Sequence, residues 1–532
     1  LARSRRMGEM PEGKLLLSMA VPMMLSMLVQ ALYNIVDSVY VAKVSEDCLS
    51  ALSLAFPAQN ILIGLGTGTG VGVSTMLSRA LGSRDNKLAN RVAGNSLFLC
   101  LCCWAIMAIF GIFFADAFIH SGSSTVWGSA AYHNGRILGM NLCESPDYDK
   151  VYPYVIADTI GGNQSLERYM FSGGYAHSGD NVSWGVSLGY VAGLYYRQVD
   201  PRPKTISGQL NISAGVTFRL GAYDLGPAFL FERYRQSTSI SFVSEMGDSK
   251  LYHLTGLGTD YSRFAGSGAN VFSDGYTYTL GADLYPRSGS GAFASARFSL
   301  MTMRHVVSDL NKLPLGNVNH RAADFQAGYV YADGSRWRWK AMAEGSIYRR
   351  HGKENLFGDA TSGSYPQIGS RLAFADNAWR LAAGGMAEYS VGRCRLALTP
   401  KVGFQHRLMS YISGREWLQD GIEVSADFSM VWSPVQRWVY KFRLAGMLYD
   451  PTSSDLKLGT VGSDRESQLF ADALKEDFSN ATCTRRTLTA ALAGEYAISA
   501  KYAVGIDVTY RHENYASGVI GNGIEAAISF IF

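Results

Sequence analysis

The last stretch of the chain, Ile520–Phe532, alternates between two kinds of side chain. Its apolar face carries Ile524, Ala526, Ile528, Phe530 and Phe532, and the positions between them are mostly small or polar. A period of two is typical of a β-strand whose two faces meet different surroundings. Such a strand can close an outer-membrane β-barrel, with lipid outside and a polar lumen inside, or it can lie on the surface of a soluble sandwich. The choice depends on whether the pattern repeats.

The same alternation recurs along the rear of the chain. The apolar positions of four further runs are Trp184, Val186, Leu188, Tyr190 and Leu194; Leu396, Leu398, Val402 and Phe404; Ile422, Val424, Ala426, Phe428, Met430 and Trp432; and Tyr502, Val504, Ile506, Val508 and Tyr510. Most of these runs exceed an ordinary soluble strand and approach the ~9–11 residues with which a tilted strand crosses a bilayer. Aromatic residues stand near the run ends, where membrane interfaces place them. The pattern predicts a transmembrane barrel.

The connections between these strands are predicted to alternate in length. Short ones are Gly179–Asn181, Leu220–Ala222, Arg287–Ser290, Ala332–Ser335, Val391–Arg393, Ser433–Gln436 and Ser499–Lys501, and long ones are Glu144–Ser165, Gln236–Val271, His305–Asn319, Arg350–Asn377 and Pro451–Thr482. Short turns at one end and long loops at the other are typical of outer-membrane barrels, whereas a soluble sandwich does not sort its loops in this way. We therefore expect an antiparallel barrel of about 16 strands, within a range of about 14–16, over residues 128–532.

The front of the chain follows a different pattern. Three apolar segments, Leu15–Val44, Leu49–Leu81 and Val92–Ile119, are each long enough for a membrane helix of ~20 residues. Basic residues cluster before the first segment and between the second and third: Arg3, Arg5, Arg6 and Lys14, then Arg79, Arg84, Lys87 and Arg91. With two crossings between them, both clusters fall on the same side, as the positive-inside rule requires. Residues 1–120 are therefore predicted to form three transmembrane helices.

Four polar side chains form a stripe on the first predicted helix. Gln30, Tyr33, Asn34 and Asp37 follow helical spacing within an otherwise apolar segment. An acid inside a membrane helix is costly, so Asp37 is a candidate transport residue. The alternative is that Asp37 lies near the helix end and reaches water.

The front segment also resembles a known transporter family. The matching stretches are 16–22 (LLSMAVP), 30–37 (QALYNIVD), 66–70 (GTGTG) and 78–82 (SRALG). They are similar to the start of a multidrug and toxin extrusion (MATE) antiporter. The resemblance implies that Asp37, with Asn34, Tyr33 and Gln30, lies where the family couples transport to a cation or proton. The family builds two lobes from many more helices than the three predicted here, so we expect this segment to be an inactive fragment.

The rear region resembles an uncharacterised family of Gram-negative outer-membrane barrels, which carries a domain-of-unknown-function label. The resemblance rests on the stretches 152–158 (YPYVIAD), 171–177 (FSGGYAH), 199–203 (VDPRP), 253–258 (HLTGLG), 310–315 (LNKLPL) and 354–358 (ENLFG). It implies the barrel fold and an outer-membrane location but supplies no activity.

Composition changes abruptly between the two regions. Residues up to about 120 are rich in Leu, Met and Ala, whereas residues from 128 are rich in Gly, Tyr, Ser and Arg, with a junction at 121–127. Apolar helices stop in the inner membrane, whereas barrel strands are exported to the outer one. We therefore interpret the 532-residue chain as a fusion of fragments from two unrelated genes. Its net charge of +4 is too small for its size to indicate nucleic-acid binding.

Candidate chemistry is sparse. His253, Asp260 and Ser262 share one loop, and Ser172 and His177 lie near another strand end, but such residues in Gly-rich loops more often stabilise turns. Charged residues expected to line the lumen are Lys401, Asp427, Arg443, Glu495, Asp507 and Arg511. We predict no catalytic residues, no cofactor, no metal site and no nucleic-acid partner; the expected partners are the lipid bilayer and the barrel-assembly machinery. The favoured function is a pore or a surface binding scaffold of unknown cargo; the alternatives are a cation-coupled multidrug antiporter and an outer-membrane hydrolase.

Overall fold

The computed structural model describes the rear of the chain and parts of the front: residues 72–80, 83, 88, 91–92, 94–96, 117–145, 147–243, 250–266, 269–332, 334, 336–361, 364–435, 437–497 and 503–531. The chain divides into two compact units, Leu1–Gly111 and Ile112–Phe532. In the first unit, residues 72–80 are helical and belong to the second predicted apolar segment. Most of the three predicted helices, with Gln30, Tyr33, Asn34 and Asp37, lies outside the described residues. Within the described part, no helix has both the length and the apolar character that a membrane crossing needs.

The second unit consists of 20 strands and two α-helices among the described residues. In chain order they are β1 (Ala117–Ser121), β2 (Ser124–Met140), α1 (Tyr148–Val151), β3 (Val155–Ala157), β4 (Gly162–Ser178), β5 (Val182–Tyr196), β6 (Arg202–Leu220), β7 (Tyr223–Ser241), β8 (Tyr252–Gly256), β9 (Thr259–Asp260), β10 (Asn270–Pro286), β11 (Gly291–Val307), β12 (Leu313–Ala332), β13 (Trp337–Phe357), β14 (Gln367–Val391), β15 (Cys394–Tyr411), β16 (Arg415–Trp432), β17 (Trp438–Lys457), α2 (Arg465–Ala481), β18 (Arg485–Ala497), β19 (Ala503–Tyr515) and β20 (Ile520–Ile531). A 3₁₀ turn spans Ser262–Phe264.

The predicted third helix extends too far at its end. Ala117–Ile119, assigned to that helix from their apolar character, instead belong to β1 and pair antiparallel with Val126–Gly128 of β2. A two-residue turn with Gly122 at φ 58° joins the strands, a conformation that glycine adopts without strain. The main-chain hydrogen bonds to β2 therefore decide the local structure, although the side chains would suit a helix.

The long strands form the wall of an antiparallel β-barrel, as predicted. Sixteen of them, β2, β4 to β7 and β10 to β20, each lie antiparallel to the next in the chain. Connections at one end, here called the turn end, are residues 122–123, 179–181, 221–222, 287–290, 333–336, 392–393, 433–437 and 498–502. Connections at the other end, here called the mouth, are residues 141–161, 197–201, 242–269, 308–312, 358–366, 412–414, 458–484 and 516–519.

The wall strands reach further into the mouth than expected. The predicted connection Arg350–Asn377 is mostly strand, because β13 continues to Phe357 and β14 begins at Gln367. The predicted connections at residues 236–271, 305–319 and 451–482 are shortened in the same way, to 242–269, 308–312 and 458–484. These strand ends lie beyond the bilayer, where the outward face is no longer apolar and the simple alternation is lost.

The outward face of the wall carries an apolar band. On β13, outward positions from Trp337 to Ile347 are apolar, and both of these side chains are exposed on the barrel surface. This length fits the ~9–11 residues of a membrane-crossing strand. Towards the mouth the band stops at outward polar residues, Arg321 on β12, Arg349 on β13 and Asn377 on β14.

Two mouth connections fold inward. The first inserted segment, residues 141–161, carries α1 and β3, and the second inserted segment, residues 250–266, carries β8, β9 and the 3₁₀ turn. The segments pair with each other, because Val155–Ala157 of β3 lies antiparallel to Tyr252–Leu254 of β8. Together they contact strands from β6 to β16, so they lie inside the curved wall.

Helix α2 lies in the connection between β17 and β18. Its N-cap is Asp464, whose carboxylate accepts the Ser467 main-chain N–H at 2.8 Å. Phe470 and Leu474 are buried on one face of the helix. Phe470 packs edge-on against Tyr252 of the second inserted segment, with ring centroids 5.0 Å apart. The helix therefore packs against the inserted segments at the mouth.

Candidate binding site at the mouth of the barrel

A buried ion network fixes the first inserted segment to the wall. Arg197, just past the end of β5, donates to Glu144 Oε1 at 3.2 Å and to Asp158 Oδ2 at 2.5 Å. Gln164 Nε2 donates to Glu144 Oε2 at 2.7 Å, and two main-chain N–H groups of the segment donate to Asp158 Oδ1. The three ionisable side chains are at most 5% exposed. Removal of one partner would leave a buried charge without compensation.

The two carboxyl groups of this network have opposite pKa shifts. Burial raises the pKa of Glu144 to about 8, and the nearby Asp158 carboxylate adds to the rise. Burial also opposes ionisation of Asp158, but hydrogen bonds from Glu144 and Gly161 and the charge of Arg197 outweigh it and lower the pKa of Asp158. Glu144 therefore holds the proton, and Asp158 carries the negative charge that balances Arg197.

A second polar network fixes the second inserted segment. Glu354 on β13 is buried, accepts a hydrogen bond from Tyr411 Oη at 2.5 Å and pairs with Arg371 at 3.1 Å. Thr255 of the segment donates to Tyr411 Oη at 3.1 Å. Arg415 donates to two main-chain carbonyl groups of the segment at 2.6 and 2.7 Å. The segment is thus held by its main chain as well as by its side chains.

Apolar cores surround both networks. One cluster comprises Ile156, Ile240, Leu251, Phe264, Val271, Val307, Leu313, Leu315 and Phe357, a second Cys143, Val151, Tyr154, Val155, Tyr234, Met303 and Val318, and a third Leu257, Ala373, Phe374, Met409, Tyr411, Trp417 and Leu474. Every cluster combines residues of an inserted segment with residues of the wall. The inserted segments therefore pack like a protein core instead of lying loosely in the lumen.

A cavity of about 910 Å³ lies between the inserted segments, the wall and α2. Its apolar lining includes Leu254, Met409, Trp417 and Leu474. Its polar lining includes His320, Tyr348, Arg350, Asp376 and Arg407. A volume of this size, with apolar walls and a few convergent polar groups, is typical of a small-molecule site.

The cavity is lined by two arginines, Arg350 and Arg407, and by three aspartates, Asp149, Asp376 and Asp477. Arg407 makes a two-point pair with Asp376, with N–O distances of 3.0 and 2.9 Å. Arg350 instead donates to the main-chain carbonyl groups of Asp149 and Tyr152 at 2.7 and 3.3 Å. Among the described residues no carboxylate forms an ion pair with Arg350. Arg350 can therefore offer a guanidinium group to a ligand, in a lining that also carries carboxylates.

The lumen-facing charges predicted from the sequence lie where expected on the inward face and are mostly paired. Lys401 contacts Glu344 at 2.9 Å, Arg443 Nε contacts Asp427 at 2.6 Å, and Lys441 contacts Glu495 at 2.5 Å. Arg511 pairs with Glu513 on the same strand. The Arg443–Asp427 and Lys441–Glu495 pairs lie towards the turn end, whereas Arg511 and Glu513 lie near the mouth end of β19. The function of these residues as a lumen lining stays a prediction, as does that of Asp507.

The His and Ser residues considered as candidates for hydrolysis do not converge on a common site. His253 is buried in β8 against His305, whereas Ser262 is exposed at the start of the 3₁₀ turn, so the two share no surface. Ser172 bonds to Ser129 at 2.6 Å, and His177 lies 3.2 Å from the Ser124 hydroxyl. Ser172 and His177 are five positions apart on β4, which places them on opposite faces.

The polar lining of the cavity was not predicted from the sequence. Arg350 and Asp376 were assigned to one long loop, but they are directly opposite partners in the β13–β14 ladder. Continuing the two strands beyond the apolar band would have brought them together. In the part of the chain that the structure describes, no cluster of His, Cys, Asp or Glu is arranged to hold a metal ion.

Comparison with family models decides which family the barrel represents. The model described as "Family of unknown function (DUF6850)" matches residues 110–532, which is more than three quarters of the chain. The chain belongs to this family. The DUF6850 match begins close to the start of the second compact unit, at Ile112, and includes both inserted segments.

The front of this DUF6850 chain is similar to a transporter. The MatE family model matches residues 22–125. The multidrug export protein MepA of Staphylococcus aureus strain MRSA252 is 30% identical over 107 residues, or 20% of this chain and 24% of that protein. MepA of strain bovine RF122 / ET3-1 is 29% identical over the same length. The chain spans about a quarter of the length of these curated relatives. The resemblance noted in the sequence is confirmed for this segment.

Solved structures similar to the DUF6850 chain include several β-barrels. The copper transporter OprC has a TM-score of 0.39 at 8% identity, covering 78% of this chain and 65% of that one. OmpT, an outer membrane protein of Vibrio cholerae, has a TM-score of 0.30 at 11% identity, covering 78% and 99%. The CymD monoaromatic hydrocarbon channel has a TM-score of 0.31 at 10% identity, covering 77% and 88%. At these identities and TM-scores the similarity says nothing about cargo.

Proposed function

We propose that the barrel is an outer-membrane binding protein whose mouth is closed by the two inserted segments and whose cavity holds a small ligand. The observation that carries the proposal is the packing of those segments. Three apolar clusters and two buried polar networks join them to the wall. An open pore would instead keep its mouth lined by hydrated side chains.

Single-channel recording in a planar bilayer tests whether the mouth is closed. The full chain, refolded in detergent and inserted into a planar bilayer, should give no steady open-pore current. A variant in which a short Gly-Ser linker replaces the first inserted segment should conduct. Altered migration of the unheated protein in a gel confirms that both proteins have folded. A steady ohmic current from the parent chain would contradict the proposal.

The cavity favours a ligand with an aromatic or apolar body and one anionic group. Trp417 and Leu474 supply the apolar wall, and Arg350 supplies the guanidinium. A carboxylate on the ligand could pair with Arg350 in a site partly shielded from water, where a charge-assisted hydrogen bond is strong. Binding and not catalysis is proposed, because the candidate His and Ser groups do not converge.

Equilibrium dialysis with 1-naphthoate, an aromatic carboxylate, tests this ligand class. We expect the full chain to retain the probe and Arg350→Gln to retain roughly tenfold less. Arg350→Lys keeps the charge and should retain an intermediate amount. Arg338→Gln is the matched control, because Arg338 lies on the inward face of the same strand near the turn end. Equal retention by the Arg350→Gln and Arg338→Gln variants would exclude the cavity as the site.

We further propose that the front segment carries out no antiport in this chain. The support is its length, since it corresponds to 24% of the full MepA transporter. If the segment were active, Asp37 would couple transport to a cation, with Asn34, Tyr33 and Gln30 beside it. Expression of the chain in a drug-sensitive strain should therefore leave resistance unchanged, with or without Asp37→Asn. If the chain conferred drug resistance and Asp37→Asn abolished it, the proposal would be wrong and the chain would be an antiporter.

A further inference from the structure

Arginines gather on one side of the outer wall, immediately beyond the apolar band. They are Arg233 and Arg235 on β7, Arg304 on β11, Arg321 on β12 and Arg349 on β13. These strands are neighbours in the sheet, with β10 between β7 and β11. All five side chains are exposed and face away from the lumen. The result is a continuous basic surface, here called the arginine belt.

The arginine belt holds more positive charge than its own carboxylates balance. Asp274 on β10 lies within the belt and contacts Arg233 at 3.8 Å and Arg304 at 3.4 Å. Arg321 and Arg349 are directly opposite partners in the β12–β13 ladder. Among the described residues neither of them forms an ion pair with a carboxylate. Like charges at opposite positions destabilise a sheet, so the pair indicates an anion supplied from outside the chain.

The location of the arginine belt selects the kind of anion. On the outward face of the same strands, the side chains next to Arg321 and Arg349 in the direction of the turn end are Ala323 and Phe325 on β12 and Ile347 on β13. All three lie within the apolar band. The guanidinium groups therefore lie where acyl chains give way to headgroups. Elsewhere around the wall the outward polar positions include acids, such as Asp420, which pairs with His406, and Glu167. The five arginines of the belt thus lie on one side of the barrel, from β7 to β13.

We propose that the arginine belt docks a lipid that carries phosphate on its headgroup, a phosphorylated glycolipid of the surrounding leaflet. Arginine presents paired N–H donors that match phosphate oxygens, and adjacent guanidinium groups can share one phosphate. The acyl chains of the same lipid would cover the apolar band below. A free phosphate ion would contact the guanidinium groups but would leave the apolar band uncovered, so the lipid is the better fit. This inference does not depend on whether the mouth is closed.

Native mass spectrometry of the full chain in detergent tests the proposal. With diphosphoryl lipid A added, we expect the parent chain to retain bound lipid. The Arg321→Gln/Arg349→Gln variant should retain roughly tenfold less, because two charge-assisted contacts are lost. Arg321→Lys/Arg349→Lys keeps the charges and should recover part of the binding. Lipid A stripped of its phosphates should bind weakly to every variant.

The control variant is Arg136→Gln/Arg486→Gln. Both residues are exposed and face outward on β2 and β18, away from the arginine belt, so lipid retention should match the parent. Equal losses in the two double variants would overturn the proposal, and so would equal retention of phosphorylated and dephosphorylated lipid. Displacement of the lipid by inorganic phosphate at comparable concentration would also overturn it, because the site would then recognise free phosphate. Gel migration of unheated samples shows that each variant is folded.

Discussion

The two ends of the barrel interior differ in what fills them. Near the turn end, inward side chains form ion pairs that stay partly hydrated, such as Glu344, which contacts both Arg380 and Lys401. Near the mouth, inward side chains such as Phe374 and Tyr449 are almost completely buried. The wall is the same sheet throughout, so the difference comes from the inserted segments, which supply a partner surface at one end only.

Strand β11 shows the change along a single face. Its inward face begins at the turn end with Phe293, whose ring is covered by Lys340, and continues with Arg297 and Ser299. Towards the mouth the same face carries Met303, His305 and Val307. Met303 and Val307 belong to apolar clusters that the inserted segments complete. An inward face that turns from polar to apolar within one strand therefore indicates where a barrel is filled by its own loops.

The largest expected effect concerns the ion network at the mouth. Arg197→Ala leaves the Glu144 and Asp158 carboxyl groups buried without their cation, which should weaken the docking of the first inserted segment by about 3–5 kcal/mol. The segment should become sensitive to limited proteolysis, and planar-bilayer recordings should show transient openings. Arg202→Ala is the control, because Arg202 pairs with Asp200 on the surface. Protection of residues 141–161 equal to that of the parent would refute the anchoring role.

The second expected effect is a pH dependence of the same anchor. The pKa of Glu144 is raised from 4.5 to about 8 by burial, so the folded segment favours the protonated form. The contribution of the protonated Glu144 to the stability of the docked segment is complete below pH 4.5. It declines between pH 4.5 and about 8, because in this range the unfolded segment releases the proton that the folded segment keeps. Openings in bilayer recordings should become more frequent over this range. Glu144→Gln keeps a neutral side chain and should remove the increase; an unchanged pH profile in that variant would assign the effect to another group.

The smallest expected effect lies at the turn end. Arg443→Gln breaks the pair with Asp427, but the Arg443 side chain is 61% exposed, so water screens the lost attraction. We expect a change of about 0.2–1 kcal/mol in the free energy of unfolding, seen as a small shift in the temperature at which the gel migration changes. A loss as large as that of Arg197→Ala would show that the two ends of the interior do not differ in the way described.

The alternation of side chains was enough to predict the wall. The strands expected around Trp184, Leu398, Val424, Ile506 and Ile528 all occur, because lipid outside and water inside impose opposite demands on neighbouring positions. The same rule located the short connections at the turn end. It failed beyond the bilayer, where Arg349 and Asn377 face outward and the strands nevertheless continue.

The interior of the mouth was not predictable in this way. Glu144, Asp158 and Arg197 come from separate connections, and no spacing along the chain marks them as partners. The cavity arginines are equally distant in sequence, since Arg350 and Arg407 lie on β13 and β15. Such contacts depend on how two loops fold against the wall, which a local pattern does not encode.

The pairing of β3 with β8 is a long-range contact inside the barrel. Val155 and Leu254 are separated along the chain by all of β4 to β7. Most neighbouring wall strands are joined by short connections, and such hairpins form quickly because their ends are near in sequence, whereas this inner ladder depends on a long-range contact. We therefore expect the inserted segments to dock on each other later than most hairpins of the wall form, so that the lumen fills late in assembly.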